Sequence, residues 1–258
     1  MEDFKLEPAH DLGLAPMARY RSHSREGGLV ESILRLGWWG SLRIIFRGWN
    51  RLAVQGREHL PGQPSFVLAA NHLSHLDALA LGSVLPLRWR DYLFPLAAKD
   101  VFFETLPVAG FAAAVLNALP VWRRAHRGHA LEDLRQRLIT EPCVYILFPE
   151  GTRARDGTMG KFKSGIGILV AGTTVPVVPC YLQGTFEAMP PNSWFLRPKR
   201  IEVRIGKPLT FERCANERDG WNQVGWQVEA AVRKLAGVSP DSGMPSQAMR
   251  PPATGRCP

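Results

Sequence analysis

At 258 residues and 45% hydrophobic composition, the chain can bury one large core with appendages. Its formal charge of +9 calls for a polyanionic partner, whether a membrane surface, a phosphorylated substrate or nucleic acid. Cys143, Cys180, Cys214 and Cys257 are scattered with no CxxC pair, which argues against a zinc ribbon or a disulfide framework and suits a reducing compartment.

In chain order, residues 1–27 are polar and are expected to be poorly ordered. The opening "MEDFKLEPAHDLG" is acidic where a secretory leader needs a basic start and an apolar centre, so none is expected. Over residues 28–52 the pattern becomes amphipathic. Leu29, Ile33 and Leu36 fall at helical spacing, and so do Leu42, Ile45, Phe46, Trp49 and Leu52. Arg43, Arg47 and Arg51 form a stripe at i, i+4, i+8. Gly37 and Gly40 bracket Trp38 and Trp39, which predicts two short helices joined by a bend. Residues 19–57 carry eight arginines against Glu26 and Glu31. These helices either pack on the core with solvated arginines or lie at a membrane interface, with arginines on lipid phosphates and tryptophans at headgroup depth.

Residues 53–236 read as one domain of alternating elements. "RLAVQGREHLP" is a strand and turn, "SFVLAANH" a buried strand, "DALALGSVL" a helix and "YLFPLAAK" a strand. "GFAAAVLNAL" is a core helix or borders an acyl chain, and "ALEDLRQRLI" is a helix. "CVYILFPEGT" is a strand ending in a turn. The uncharged run "SGIGILVAGTTVPVVPCYLQGT" is broken by prolines and glycines, so it reads as a short helix, a turn and a strand and not as a membrane span. "RIEVRIGKPL" is a last strand. The expected fold is α/β, a central largely buried sheet flanked by helices, with the amphipathic helical pair in front of it. Residues 237–258, rich in Pro, Ser and Gly, are expected to be a disordered tail.

Two titratable clusters sit at the expected carboxyl ends of strands, where ligands gather in such sheets. In "NHLSHLDA" (71–78), Ser74 and Asp77 fit a capping box, which would leave Asn71 and His72 unexplained. Five residues of one helix would turn about 140° and separate His72 from Asp77. With His72 on the turn before the helix, Asp77 can reach back and fix its tautomer, which suits the histidine to take a proton from an alcohol. A metal site is not expected, because His72, His75 and Asp77 have no second cluster of ligands to complete it. No cofactor is expected. Nucleic acid is not the expected partner, since no aromatic-basic RNA motif or recognition-helix pattern is present.

"NHLSHLD" resembles the NHx4D signature of the glycerolipid acyltransferases, and "FPEGTRARDG" (148–157) resembles their second signature. The likeness continues through "VQGREHLP", "AAKDVFFETLPVAGF", "NALPVWRR", "FKSGIGIL", "VPVVPCYLQGT" and "RIGKPL". The chain is similar to 1-acyl-glycerol-3-phosphate acyltransferases of phospholipid synthesis. That resemblance implies His72 as general base and Asp77 as its partner. It further implies Glu150, Gly151, Thr152 and Arg153 shaping the acceptor site, with Arg123 and Lys99 as phosphate ligands. Trp122 departs from the acidic residue the family commonly has before that arginine, which bears on the acceptor and not on the chemistry. The implied donor is acyl-CoA or acyl carrier protein, the acceptor a lysophospholipid, and the location the cytoplasmic face of a membrane, bound peripherally at an anionic surface.

Overall fold

The five residues Phe66–Ala70 are all apolar, so neither face of the strand they form can be left in water. This strand, β2, is buried throughout and lies fourth in a seven-stranded sheet. The computed structural model describes residues 11, 13–23, 25–98, 102–121, 127–154, 156–190, 193 and 195–237. The first half contains α1 (Pro16–Arg21), α2 (Leu29–Gly48), β1 (Ala53–Gln55), β2, α3 (Leu76–Val84), β3 (Leu93–Ala98), α4 (Leu106–Ala114) and β4 (Leu119–Val121). The second contains α5 (Arg127–Thr140), β5 (Val144–Leu147), α6 (Gly165–Val170), β6 (Val177–Gln183), α7 (Thr185–Ala188), β7 (Glu202–Ile205) and α8 (Arg218–Ala236). The sheet runs β1-β7-β6-β2-β5-β3-β4, with every neighbouring pair parallel except β6 and β7.

Alternation along β2 divides the core in two. Phe66, Leu68 and Ala70 pack with Trp39, Phe46, Leu76 and Leu81 under α2 and α3. Val67 and Ala69 face the other way, toward Leu134, Leu138, Ile166 and Val228 of α5, α6 and α8. The expected α/β fold, with a mostly parallel sheet between helical layers, is the one observed. "GFAAAVLNAL" holds α4, whose Ala109, Ala112 and Ala113 are buried in a third, smaller cluster with Phe103 and Ala118.

Two expectations need correction, and two elements were not expected. Residues 28–52 hold one continuous 20-residue helix, Leu29–Gly48, and not a pair. Gly37 and Gly40 each cost about 0.5–1 kcal/mol in a helix, whereas burying Trp39, Leu42 and Phe46 contributes about 1.5–3 kcal/mol per side chain, so the packed face wins. Residues 1–27 are not uniformly irregular. Within them α1 packs beside α4, and Arg25 is buried, donating to the carbonyls of Tyr20 and Ala118 and to Asn117. Helix α8 was missed, although Val224, Val228 and Val232 repeat every fourth residue on its buried side and Gly237, in the left-handed region, stops it. Strand β4, inside "NALPVWRR", was missed as well. Lys99, Arg123 and Trp122 lie outside the described residues, as does the tail from residue 238.

Close approach fixes α2 on α3. A Cβ added at Gly82 would run into the Trp39 ring, which is itself buried. Gly82→Ala is expected to lower stability by about 1–3 kcal/mol through overpacking. Urea denaturation checks this, and an unchanged midpoint would contradict the seating of α2.

Candidate active site

Parallel register brings the two signatures together. Ala69 of β2 pairs with Leu147 of β5, so the chain leaves both strands side by side, and His72 and Glu150 each follow three residues later. Asn71 ends the strand with its side chain. Its amide donates to the Leu182 carbonyl (2.9 Å) and accepts from the Leu182 N–H (2.8 Å). The buried amide thus satisfies the neighbouring strand β6 as a backbone group would, while the backbone itself turns away toward α3.

His72 occupies that turn and is tied to the second signature at both backbone ends. Its N–H donates to Glu150 Oε1 (2.8 Å) and its carbonyl accepts from the Ala154 N–H (2.9 Å). Its ring stacks on Phe148 with centroids 4.1 Å apart and planes at 12°. Nδ1 lies 2.9 Å from Asp77 Oδ2. The same oxygen accepts the backbone N–H groups of Leu73 (2.6 Å) and Ser74 (2.7 Å). The capping and orienting roles of Asp77 are therefore one arrangement, not alternatives. The carboxylate stabilises the start of α3, and by accepting from Nδ1–H it leaves Nε2 as the proton acceptor. Asp77 is fully buried while the His72 side chain is 21% exposed, so the ring is held from inside and reached from outside. Ser74 is a strut. Its hydroxyl donates to the Met189 carbonyl and accepts from the Leu76 N–H.

Glu150 makes backbone contacts that the sequence does not indicate. Both its oxygens are occupied by backbone, Oε1 by His72 N–H and Oε2 by Gly160 N–H (3.0 Å), and the residue is buried. Burial raises its pKa, with those two N–H groups opposing. Its position makes it a brace between the histidine turn and the loop at 160. Gly151 has φ +74° and Thr152 is exposed on the same turn. The Lys163 ammonium lies 2.7 Å from where a Cβ at residue 151 would stand, so it leans over the glycine and adds positive charge there. Arg153 is half-buried and its charge acts on His75. Burial first, then Arg153 and His72, bring the His75 imidazole down to about 4. Phe148, which opens the second signature, contacts the His72 ring and was passed over by sequence reasoning, whereas Lys163, in "FKSG", reads from sequence as a possible contributor with a solvated lysine as the default, and it is exposed. The buried Cys143 and Cys180 are no nucleophiles, since burial pushes the Cys143 thiol up to about 11 and the Cys180 thiol up as well.

A histidine–aspartate pair thus stands at the carboxyl edge of a mostly parallel sheet, where ligands gather in such folds, beside a glycine turn with Arg153 and the Lys163 ammonium close by. The profile of the Acyltransferase family matches residues 51–183, and the chain belongs to that family. It is 34% identical over 176 residues to the chloroplastic 1-acyl-sn-glycerol-3-phosphate acyltransferase BAT2 of Brassica napus, covering 66% of this chain and 48% of that one. To the 1-acyl-sn-glycerol-3-phosphate acyltransferase alpha of Mus musculus it is 30% identical over 166 residues, covering 63% and 56%. The chain thus spans about half the length of these relatives. Its fold is shared with the crystal structure of the 1-acyl-sn-glycerophosphate (LPA) acyltransferase PlsC from Thermotoga maritima, at a TM-score of 0.62, 24% identity and 78% coverage of each chain.

His75 sets a pH expectation. Its folded pKa, about 4, lies below its ordinary 6.5, so between those values the unfolded chain binds the proton and the folded one does not. Stability therefore rises with pH across that window and falls on acidification. Thermal denaturation from pH 7 to 4 is expected to show a shallower decline for His75→Asn than for the wild type. Parallel declines would count against a neutral, half-buried imidazole.

Proposed function

We propose that this protein transfers a fatty acyl group from a thioester carrier, coenzyme A or acyl carrier protein, to the free hydroxyl of 1-acyl-glycerol-3-phosphate. The observation that carries this reading is His72, with Nδ1 held by buried Asp77, Nε2 making no hydrogen bond among the described residues, and the ring partly open to solvent. His72 Nε2 takes the proton of the acceptor hydroxyl as its oxygen attacks the thioester carbonyl carbon. The C–S bond then breaks, and the imidazolium returns the proton to the leaving thiolate. Asp77 keeps the ring in one tautomer and stabilises its positive charge. General-base assistance of this kind contributes on the order of 10²–10⁴-fold. Arg153 and Lys163 supply positive charge for the acceptor phosphate, which a guanidinium fork can bind through two oxygens.

The reading extends to a membrane surface, since both the acceptor and the product are amphiphiles. It is supported by the outward side of α2. At about 100° per residue, Val30, Ile33, Gly37, Ile44 and Gly48 fall within about 60° of one another, opposite Trp39, Leu42 and Phe46. Val30 is 68%, Ile33 60% and Ile44 75% exposed, and no charged residue interrupts the strip. An uncharged apolar strip on a surface helix, bordered on one side by Arg43 and Arg47, suits burial at the headgroup boundary. No helix among the described residues is long and apolar enough to cross a membrane. We propose that the protein binds peripherally at the cytoplasmic face of a membrane.

His72→Ala is expected to abolish acyl transfer with the thermal midpoint retained, measured by mass spectrometry of lysolipid products, and normal turnover would overturn the mechanism. Arg153→Ala should raise KM for phosphate-bearing acceptors more than for a neutral monoacylglycerol. Ile33→Asp with Ile44→Asp should reduce flotation with phospholipid vesicles at least tenfold at unchanged stability, since both positions are exposed.

A further inference from the structure

At the far end of α3 from His72, α2 and β1 close around a cavity of about 180 Å³ that the catalytic reading does not use. Arg43 and Arg47, one turn apart on α2, face Arg57 across it, and Leu52 and Val54 form an apolar wall. Arg43 Nε donates to the Ser83 carbonyl (2.9 Å) and Arg57 Nη2 to the Val84 carbonyl (2.5 Å), so both guanidiniums are anchored on the last turn of α3. Arg47 makes no hydrogen bond among the described residues, and none of the three arginines pairs with a described carboxylate. Burial, then Arg57 and Arg47, lower the Arg43 pKa.

Capping of α3 explains two anchors and not the cluster. A helix C-terminus offers about half a negative charge within its last turn, against three positive charges. Like charges gathered around a concave space, two of them fixed, leave most of their N–H donors unmatched. The cavity has room for several waters, at about 30 Å³ each, and so for a tetrahedral oxyanion. We propose that Arg43, Arg47 and Arg57 form a second anion site that takes a phosphoryl group, separate from the acceptor site beside His72. The site lies alongside the outward apolar strip of α2, where a lipid headgroup would arrive, but free phosphate has the same chemistry.

The test uses the full chain and no turnover, so it fails or succeeds independently of the acyltransferase reading. Binding is measured by thermal shift with inorganic phosphate and by flotation on phosphatidylcholine vesicles with and without phosphatidic acid. The variants are Arg47→Gln, Arg43→Gln and, as an equal-charge control, Arg213→Gln, an exposed arginine between Phe211 and Cys214 of the opposite core. Arg47→Gln should keep or raise the ligand-free midpoint, because it relieves repulsion and loses no hydrogen bond. It should weaken binding about tenfold, the scale of a lost charge-assisted hydrogen bond, while Arg213→Gln leaves binding within about twofold. Loss confined to the phosphate shift identifies a free-anion site, and loss confined to phosphatidic acid vesicles identifies a headgroup site. Equal losses in Arg47→Gln and Arg213→Gln, or no loss in either arm, would overturn the proposal.

Discussion

Asp77 Oδ2 accepts three N–H groups, from Leu73, Ser74 and the His72 ring, in a position with no exposure to water. Much of the site depends on that oxygen. A buried carboxylate is costly unless it is hydrogen-bonded, and the three bonds to Oδ2 fix the strand-to-helix turn and orient the imidazole together, while Oδ1 has no hydrogen-bond partner among the described residues. One group holds both the turn and the ring, so the turn cannot relax without disturbing the His72 imidazole.

Around that oxygen the sheet supplies the remaining constraints. Parallel pairing of β2 with β5 makes His72 and Glu150 emerge as neighbours. The Asn71 amide pairs with Leu182 of β6 at the point where the backbone leaves the ladder. Glu150 then braces the His72 turn against the loop at Gly160, and Phe148 covers one ring face. Each of these polar groups is satisfied by protein, which keeps the ring in place before any substrate arrives.

Charge is distributed with equal economy. Arg153 and Lys163 stand beside the histidine, Arg43, Arg47 and Arg57 gather at the other end of α3, and the outward strip of α2 carries no charge at all. In a chain with a net charge of +9, two groups of basic side chains thus lie at opposite ends of α3, and apolar surface lies along α2.

The sequence by itself determined the layer architecture, because apolar runs such as "SFVLAA" and "CVYILF" have only a sheet interior to enter. It also determined the pairing of His72 with Asp77, because a turn before a helix is the local geometry that lets residues five apart meet. It did not reveal that α2 is continuous, since the cost of two glycines is outweighed only by contacts with α3 that are distant in sequence. The bond from His72 N–H to Glu150, the Asn71 bridge to Leu182 and the convergence of Arg57 on Arg43 join residues 14 to 111 positions apart. Such groups carry no local periodicity or cap signal, and only the stacking of strands and helices decided which of them would meet.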